Sequence, residues 1–192
     1  MAKAKKHPII TSISGQIGEL VFRQVGGETV IGLKPDLSHV VPSEAQLVHQ
    51  QRFREAVQYA QVALAIPETE AIYAAAARER QQPLFSVAVA DFLNAPLVTL
   101  VDAGVYTGQA GQVIVVQAQD DVRVTTVTVT LTDGEGAVLE SGAAQANPPH
   151  SGRWTYATTA VVSGPAVVHI TAAVADLPGH VGQAEMEVEI SG

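Results

Sequence analysis

The side chains with the clearest chemical potential in this sequence are acidic. Five aspartates fall at the ends of predicted β-strands, from which loop carboxylates can converge on a hard cation such as calcium. Their spacing does not fit the DxDxDG ligand loop of helix-loop-helix calcium sites. An aspartate before a glycine, as at Asp133-Gly134, is also ordinary hairpin-turn chemistry. A calcium site and a set of plain turns therefore both stay open, with the candidate ligands Asp102, Asp120, Asp121, Asp133 and Asp176.

The sequence lacks the motifs of common catalytic centres. It contains no GxSxG nucleophile elbow and no HExxH or other histidine pair at metal-binding spacing. The glycine-rich stretches 15–18 and 108–111 lack the lysine that follows a phosphate-binding loop. Carboxylates at wet turns also lack the apolar pocket that raises the pKa of a general acid. We therefore expect a non-enzymatic protein with no catalytic residues and, calcium apart, no cofactor.

A long turn offers a second candidate site. Segment 146–152 reads Ala-Asn-Pro-Pro-His-Ser-Gly and lies next to Trp154. Loops at the end of a rigid β-sandwich are common ligand-binding positions. On this interpretation Asn147, His150 and Arg153 contact a ligand. The alternative is a connection stiffened by its prolines, with Trp154 in the hydrophobic core.

Charge is distributed unevenly along the chain. The 192 residues include 11 basic and 19 acidic side chains, for a net charge of −8. Residues 1–96 carry nine of each sign, whereas residues 97–192 carry two basic and ten acidic groups. Such an acidic half repels nucleic acid phosphates and anionic lipid headgroups. No stretch reaches the ~18 apolar residues that span a bilayer. We expect no nucleic-acid partner and no membrane insertion.

The start of the chain bears on where the protein is made. Its basic residues are not followed by the apolar core of a signal peptide. We expect synthesis in the cytoplasm without a classical signal peptide, and the final location stays open between the cytoplasm, a virion and a cell-surface assembly. The sequence has no cysteine, which excludes disulfides and thiolate metal sites.

Two apolar strands are predicted near the start of the chain. Residues 19–25 and 28–34 flank Gly26-Gly27, a pair typical of a tight hairpin turn. Because an isolated hairpin is marginally stable in water, its apolar side chains need a covering surface. We predict that another copy of the chain supplies this cover, through an interface that contains Leu20, Phe22, Ile31, Leu33 and Phe53.

The hydrophobic period then changes to that of helices. Ser43 and Gln46 form a capping box at the start of a helix that reaches about residue 66 and carries Phe53 on its apolar face. Pro67 and Pro83 are placed to open two more helices, which end near residues 82 and 93. Because alanines bury little area each, we predict a packing layer of three helices and not an independent bundle.

From residue 97 onward, turn signals recur every eight to twelve residues, a spacing typical of an antiparallel sandwich. Seven strands are predicted, at 97–101, 113–119, 124–131, 137–141, 154–160, 166–173 and 183–190. The predicted fold class is α+β. An N-terminal arm with a β-hairpin (1–42) and a three-helix layer (43–96) precede a seven-stranded antiparallel Ig-like β-sandwich (97–192).

Spaced motifs in the second half support the same fold. They are Tyr106-Thr-Gly-Gln-Ala-Gly111, Gln117-Ala-Gln-Asp-Asp-Val122, Val127-Thr-Val-Thr-Leu-Thr-Asp-Gly134, Trp154-Thr-Tyr156 and Ala175-Asp-Leu-Pro-Gly179. In this order, residues 97–192 resemble the bacterial Ig-like domains that occur in tandem in surface and adhesin proteins. Residues 14–60 resemble the start of small uncharacterised bacterial proteins that end in a similar sandwich. The motifs of this second resemblance are GxxGxxVF at Gly15 to Phe22, Lys34-Pro35, Ser43-x-x-Gln46 and Arg52-Phe53.

Two functions remain open on this basis. The first is a non-enzymatic structural protein that self-assembles through its N-terminal hairpin and helical region, as a filament, ring or other homo-oligomer, and displays an acidic Ig-like domain. The alternative is a surface or virion-associated binding module that recognises a glycan or a protein through the sandwich loops. The partner is another copy of the chain in the first case and a cell-surface or virion molecule in the second.

Overall fold

The computed structural model describes residues 2–3, 14–36, 41–149 and 151–191. The chain divides into two compact units, Met1–Gln46 and Leu47–Gly192. Its three helices and its antiparallel sheets confirm the predicted α+β class.

A four-stranded antiparallel sheet forms most of the first unit. Its strands are β1 (Ala2–Lys3), β2 (Gly15–Ile17), β3 (Leu20–Val25) and β4 (Glu28–Leu33), in the order β1-β4-β3-β2. β3 and β4 are the predicted hairpin. Gly26 and Gly27 join them at φ angles of 58° and 80°, which glycine adopts without a steric penalty. The hairpin is confirmed, and β1 and β2 are additions that the sequence did not predict.

Three helices follow, close to their predicted bounds. They are α1 (Glu44–Ala63), α2 (Pro67–Arg80) and α3 (Leu84–Leu93). The predicted capping box is present, since the Ser43 N–H donates to Gln46 Oε1 at 2.8 Å and the Gln46 N–H donates to Ser43 Oγ at 3.3 Å. Proline opens α2 as predicted. The first turn of a helix makes no internal hydrogen bonds through its N–H groups, so a residue without an N–H is tolerated there.

The rest of the chain is a β-sandwich. Two four-stranded antiparallel sheets have the orders β5-β6-β10-β9 and β12-β11-β7-β8. All seven predicted strands are present with ends shifted by a few residues, and the short β9 is an addition. The strands are β5 (Leu97–Asp102), β6 (Val113–Gln119), β7 (Thr126–Asp133), β8 (Val138–Ala143), β9 (Gln145–Ala146), β10 (Arg153–Ala157), β11 (Ala166–Ala175) and β12 (Val181–Ile190).

The sandwich core is built by alternation along these strands. Ile114 and Val116 of β6 face Val129 and Leu131 of β7, and all four are completely buried. Threonines alternate with these valines on the outer face of β7. One face of each sheet is therefore apolar and the other is polar.

The helical layer packs on one end of the sandwich. Ala56, Tyr73 and Val87 form its completely buried core, and Val122 and Leu177 from sandwich loops pack against it. These loops follow β6 and β11, so the helices cover the end of the sandwich where those strands finish. Within the part of the chain that the structure describes, no helix is long and apolar enough to cross a membrane.

Candidate functional site

One face of the N-terminal sheet carries the residues predicted for assembly. Leu20 lies opposite Leu33 of β4 and Ile17 of β2, and Phe22 lies opposite Ile31. All five side chains therefore share one face, called here the apolar face. Leu33 is 74% exposed, Ile17 68% and Leu20 42%, while Phe22 and Ile31 are partly buried. Sequence analysis missed Ile17 because its strand has only three residues.

Phe53, the fifth residue predicted for assembly, lies in the first half of α1. Every residue from 44 to 55 is exposed, and Phe53 is 49% exposed. The buried face of the helix begins at Ala56 and continues through Ala60 and Ala63. Phe53 precedes that buried face and is not covered by the neighbouring helices, so its place in an assembly interface stays a prediction. The physical reason is length, because α2 and α3 have 14 and 10 residues and leave the first turns of the 20-residue α1 uncovered.

The five aspartates predicted as calcium ligands do not surround one point. By strand register, Asp102 and Asp133 lie at the opposite ends of their sheets from Asp120 and Asp176. Asp102 and Asp133 accept hydrogen bonds of 2.8–3.0 Å from N–H groups of their own turns. Asp121 accepts a bond of 2.6 Å from the asparagine that ends α3. Among the described residues, no group of three histidines or acids is placed to hold a metal ion. The five aspartates therefore do not form one ligand set, and the hydrogen bonds of Asp102 and Asp133 are those of ordinary turns.

A buried polar cluster instead joins the helical layer to the sandwich. Asp91 of α3 is completely buried, and its Oδ2 accepts a hydrogen bond from the Tyr73 hydroxyl at 2.6 Å. The Tyr73 and Tyr59 hydroxyls lie 2.9 Å apart, so one of them donates to the other. Asp120, in the loop after β6, is one of the acidic groups that raise the pKa of Asp91. Its Oδ2 accepts from two N–H groups of its own loop, at 2.9 and 3.2 Å.

Asp176 is another buried carboxylate whose charge acts on Asp91, and it has partners of its own. Its Oδ1 accepts from the N–H groups of Gly179 and His180 at 2.7 and 2.6 Å. Its Oδ2 lies 3.2 Å from His180 Nδ1. The His180 ring in turn meets the ring of Phe92 on α3 edge to face, with centroids 4.8 Å apart. Asp176 therefore organises a sandwich loop against the helical layer.

The environment of Asp91 strongly favours its neutral form. Burial raises the pKa of Asp91 from 3.8 to about 7, and the negative charges of Asp120 and Asp176 add to the rise, while the hydrogen bond from Tyr73 opposes it. Burial also raises the pKa of the Tyr73 and Tyr59 hydroxyls, which remain neutral donors. Sequence analysis missed Asp91, although a lone acid within the apolar segment Leu84–Leu93 is a usable signal.

A groove of about 690 Å³ opens beside the loop predicted to bind a ligand. Arg123 and Trp154 contribute to its lining, and Trp154 is partly buried and packs against the sandwich core. Among the described residues, no carboxylate forms an ion pair with the Arg123 guanidinium. Asn147 and Arg153 are exposed and do not line the groove. His150 lies outside the described residues.

Comparisons with known proteins do not assign the chain to a family. No family model matches it, and no curated protein matches it. A solved structure with partial similarity is a conjugative transposon lipoprotein from Bacteroides eggerthii DSM 20697. The two share 15% identity over 48% of this chain and 94% of that chain, with a TM-score of 0.26. A similarity this weak carries no argument about fold or function.

Proposed function

We propose that the protein is a non-enzymatic structural protein that self-associates through the apolar face and displays an acidic Ig-like sandwich. The observation that carries the proposal is the apolar face itself, on which Ile17 and Leu33 are 68% and 74% exposed. Clustered exposed apolar side chains are typical of protein interfaces. Complete burial of one such side chain contributes about 1.5–3 kcal/mol. Several of them buried against another copy can support a specific contact.

The distribution of charge supports the N-terminal region as the contact and another copy as the partner. Residues 1–46 carry five basic and four acidic groups, whereas residues 97–192 carry the whole net charge of −8. Sandwiches of like charge repel one another. Self-association through the N-terminal sheets does not require contacts between these like-charged domains, and it suits a filament, a ring or a virion or cell-surface assembly.

Strand order supports the Ig-like type of the sandwich. In chain order, and with the short β9 taken as strand D, the sheets β5-β6-β10-β9 and β12-β11-β7-β8 correspond to A-B-E-D and G-F-C-C′. This is the strand arrangement of immunoglobulin-type sandwiches. The assignment therefore rests on topology and not on the solved structure named above.

Paired serine substitutions test the self-association. Leu33→Ser and Ile17→Ser should each lower the oligomer mass measured by light scattering, because each removes exposed apolar area from the interface. Val138→Ser is the matched control, since Val138 is 64% exposed and belongs to β8 of the sandwich and not to the N-terminal sheet. Circular dichroism confirms that each variant is folded. An unchanged mass for both interface variants would overturn the proposal.

The groove beside Trp154 favours a second candidate function, a glycan-binding module. The concave surface combines an aromatic ring with the Arg123 guanidinium, for which the described residues supply no ion-pair partner. Arg123→Gln should abolish binding on an array of acidic and neutral glycans. Arg153→Gln, at the other arginine of the sandwich, should leave it intact because Arg153 does not line the groove. If Arg123→Gln bound the glycans as strongly as Arg153→Gln, the groove would be excluded as the binding site.

A further inference from the structure

Two carboxyl groups from different layers of the fold meet in the interior. Asp91 belongs to α3 and Asp120 to the loop after β6. Each has one oxygen, Oδ1, that is buried and has no hydrogen-bond partner within the described residues. The loop that carries Asp120 packs against α3, because Asn94 at the end of that helix donates to Asp121 of the loop at 2.6 Å, and Asp120 is one of the groups that raise the pKa of Asp91. Two ionised carboxylates in this arrangement would leave both oxygens unpaired and would repel each other.

The other oxygens of the pair are already occupied. Asp91 Oδ2 accepts from the Tyr73 hydroxyl, and Asp120 Oδ2 accepts from two backbone N–H groups. No lysine or arginine in the described residues forms an ion pair with either group. A single proton placed between the two Oδ1 atoms converts one acceptor into a donor and satisfies both. We propose that Asp91 and Asp120 share one proton, and that this proton links the helical layer to the sandwich and is released as the pH rises through neutrality.

The titratable groups around the pair come from every element packed against it. Tyr59 of α1 and Tyr73 of α2 present neutral hydroxyls. Asp176, from the loop after β11, adds a negative charge that favours retention of the proton. His180 faces Asp176 at 3.2 Å, so a positive charge on its ring would pair with that carboxylate first. The proton is therefore shared by Asp91 and Asp120, and Asp176 affects it only through its negative charge.

The proton couples the two layers because each contributes one carboxyl. At pH values below the release of the shared proton, Asp91 and Asp120 are joined by a hydrogen bond between a carboxylic acid and a carboxylate. Bonds of this type are short and strong. At pH values above that release, the two groups are like charges with buried Oδ1 atoms at the interface between the layers. We expect the protection factors of the α3 amides, which are corrected for the intrinsic pH dependence of exchange, to fall as the proton is released, while those at the centre of β7 stay unchanged.

Carbon-13 NMR of the aspartate carboxyls in the full chain tests the proposal. The Asp91 carboxyl should titrate near pH 7, about three pH units above an ordinary aspartate. Asp120→Asn keeps an oxygen for the two loop N–H groups and offers an amide donor to Asp91. In that variant the midpoint of Asp91 should fall by at least about one pH unit.

Glu135→Gln, at an exposed turn carboxylate, is the control and should leave the midpoint of Asp91 unchanged. An ordinary aspartate midpoint in the native chain, or a midpoint that does not respond to Asp120→Asn, would overturn the proposal. Addition of calcium chloride gives a separate test. A calcium-induced change confined to the Asp91 and Asp120 resonances would also overturn it, because the pair would then hold a cation and not a proton.

Discussion

Replacing Asp91 with asparagine should remove the contribution of this carboxyl to the pH dependence of stability between about pH 4 and pH 8. Asparagine mimics the protonated acid, because its oxygen can accept from Tyr73 and its N–H can donate to Asp120. In the native chain the pKa of Asp91 is raised from 3.8 to about 7. The folded state therefore keeps a proton that the unfolded state has lost. The free energy of unfolding is then highest at acid pH, falls as the pH rises from about 4 to about 7, and levels off above that.

The size of this effect follows from the shift in pKa. About three pH units at about 1.4 kcal/mol each give about 4 kcal/mol. Urea denaturation of both proteins across this pH range measures the difference in the free energy of unfolding. As the pH rises, the free energy of unfolding of Asp91→Asn should increase relative to that of the native chain by up to about 4 kcal/mol. Other titrating groups act on both proteins alike and cancel. Parallel pH profiles for the two proteins would refute the reasoning.

Two further predictions test the sandwich. Gly182→Ala should lower the free energy of unfolding by about 1–3 kcal/mol, because its Cβ would overlap the Pro96 carbonyl oxygen. Gly134→Ala, whose Cβ meets nothing closer than 3.8 Å, should change it by less than about 0.5 kcal/mol in urea denaturation, and equal losses would contradict the packing. Glu140→Gln should lower the free energy of unfolding by about 1–3 kcal/mol at neutral pH in the same assay, because one Glu140 oxygen accepts four hydrogen bonds. Glu135→Gln, at an exposed position, is the control and should leave the free energy of unfolding unchanged. Burial alone would raise the pKa of Glu140, but these hydrogen bonds lower it. The contribution of Glu140 to the free energy of unfolding is therefore present near neutral pH and is lost as the pH falls. A contribution that grows on acidification would contradict this prediction.

Local sequence signals predicted most of the fold. The Gly26-Gly27 pair fixed the hairpin because its turn needs positive φ angles at both positions. Ser43 and Gln46 marked the start of α1 through reciprocal hydrogen bonds three residues apart. The glutamates of β12 alternate with apolar residues, which defined its inner and outer faces. Each of these signals depends on residues close together in the chain.

The parts that sequence analysis missed depend on tertiary contacts. Asp91 and Asp120 are 29 positions apart, and neither position reveals that α3 packs over the loop after β6. The aspartates at the strand ends fall into two groups because Asp102 and Asp133 lie at the other ends of their sheets, which only the strand register reveals. Phe53 matched a helical period, but the lengths of the neighbouring helices decided that its turn is uncovered.

Self-association through the N-terminal sheet is the central claim, and sedimentation equilibrium of the unmodified full chain tests it most directly. Measured over a wide range of protein concentrations, the mass should fit a multiple of the single chain, and the Leu33→Ser variant should shift the distribution toward the monomer. The mass of one chain at every concentration would contradict the claim.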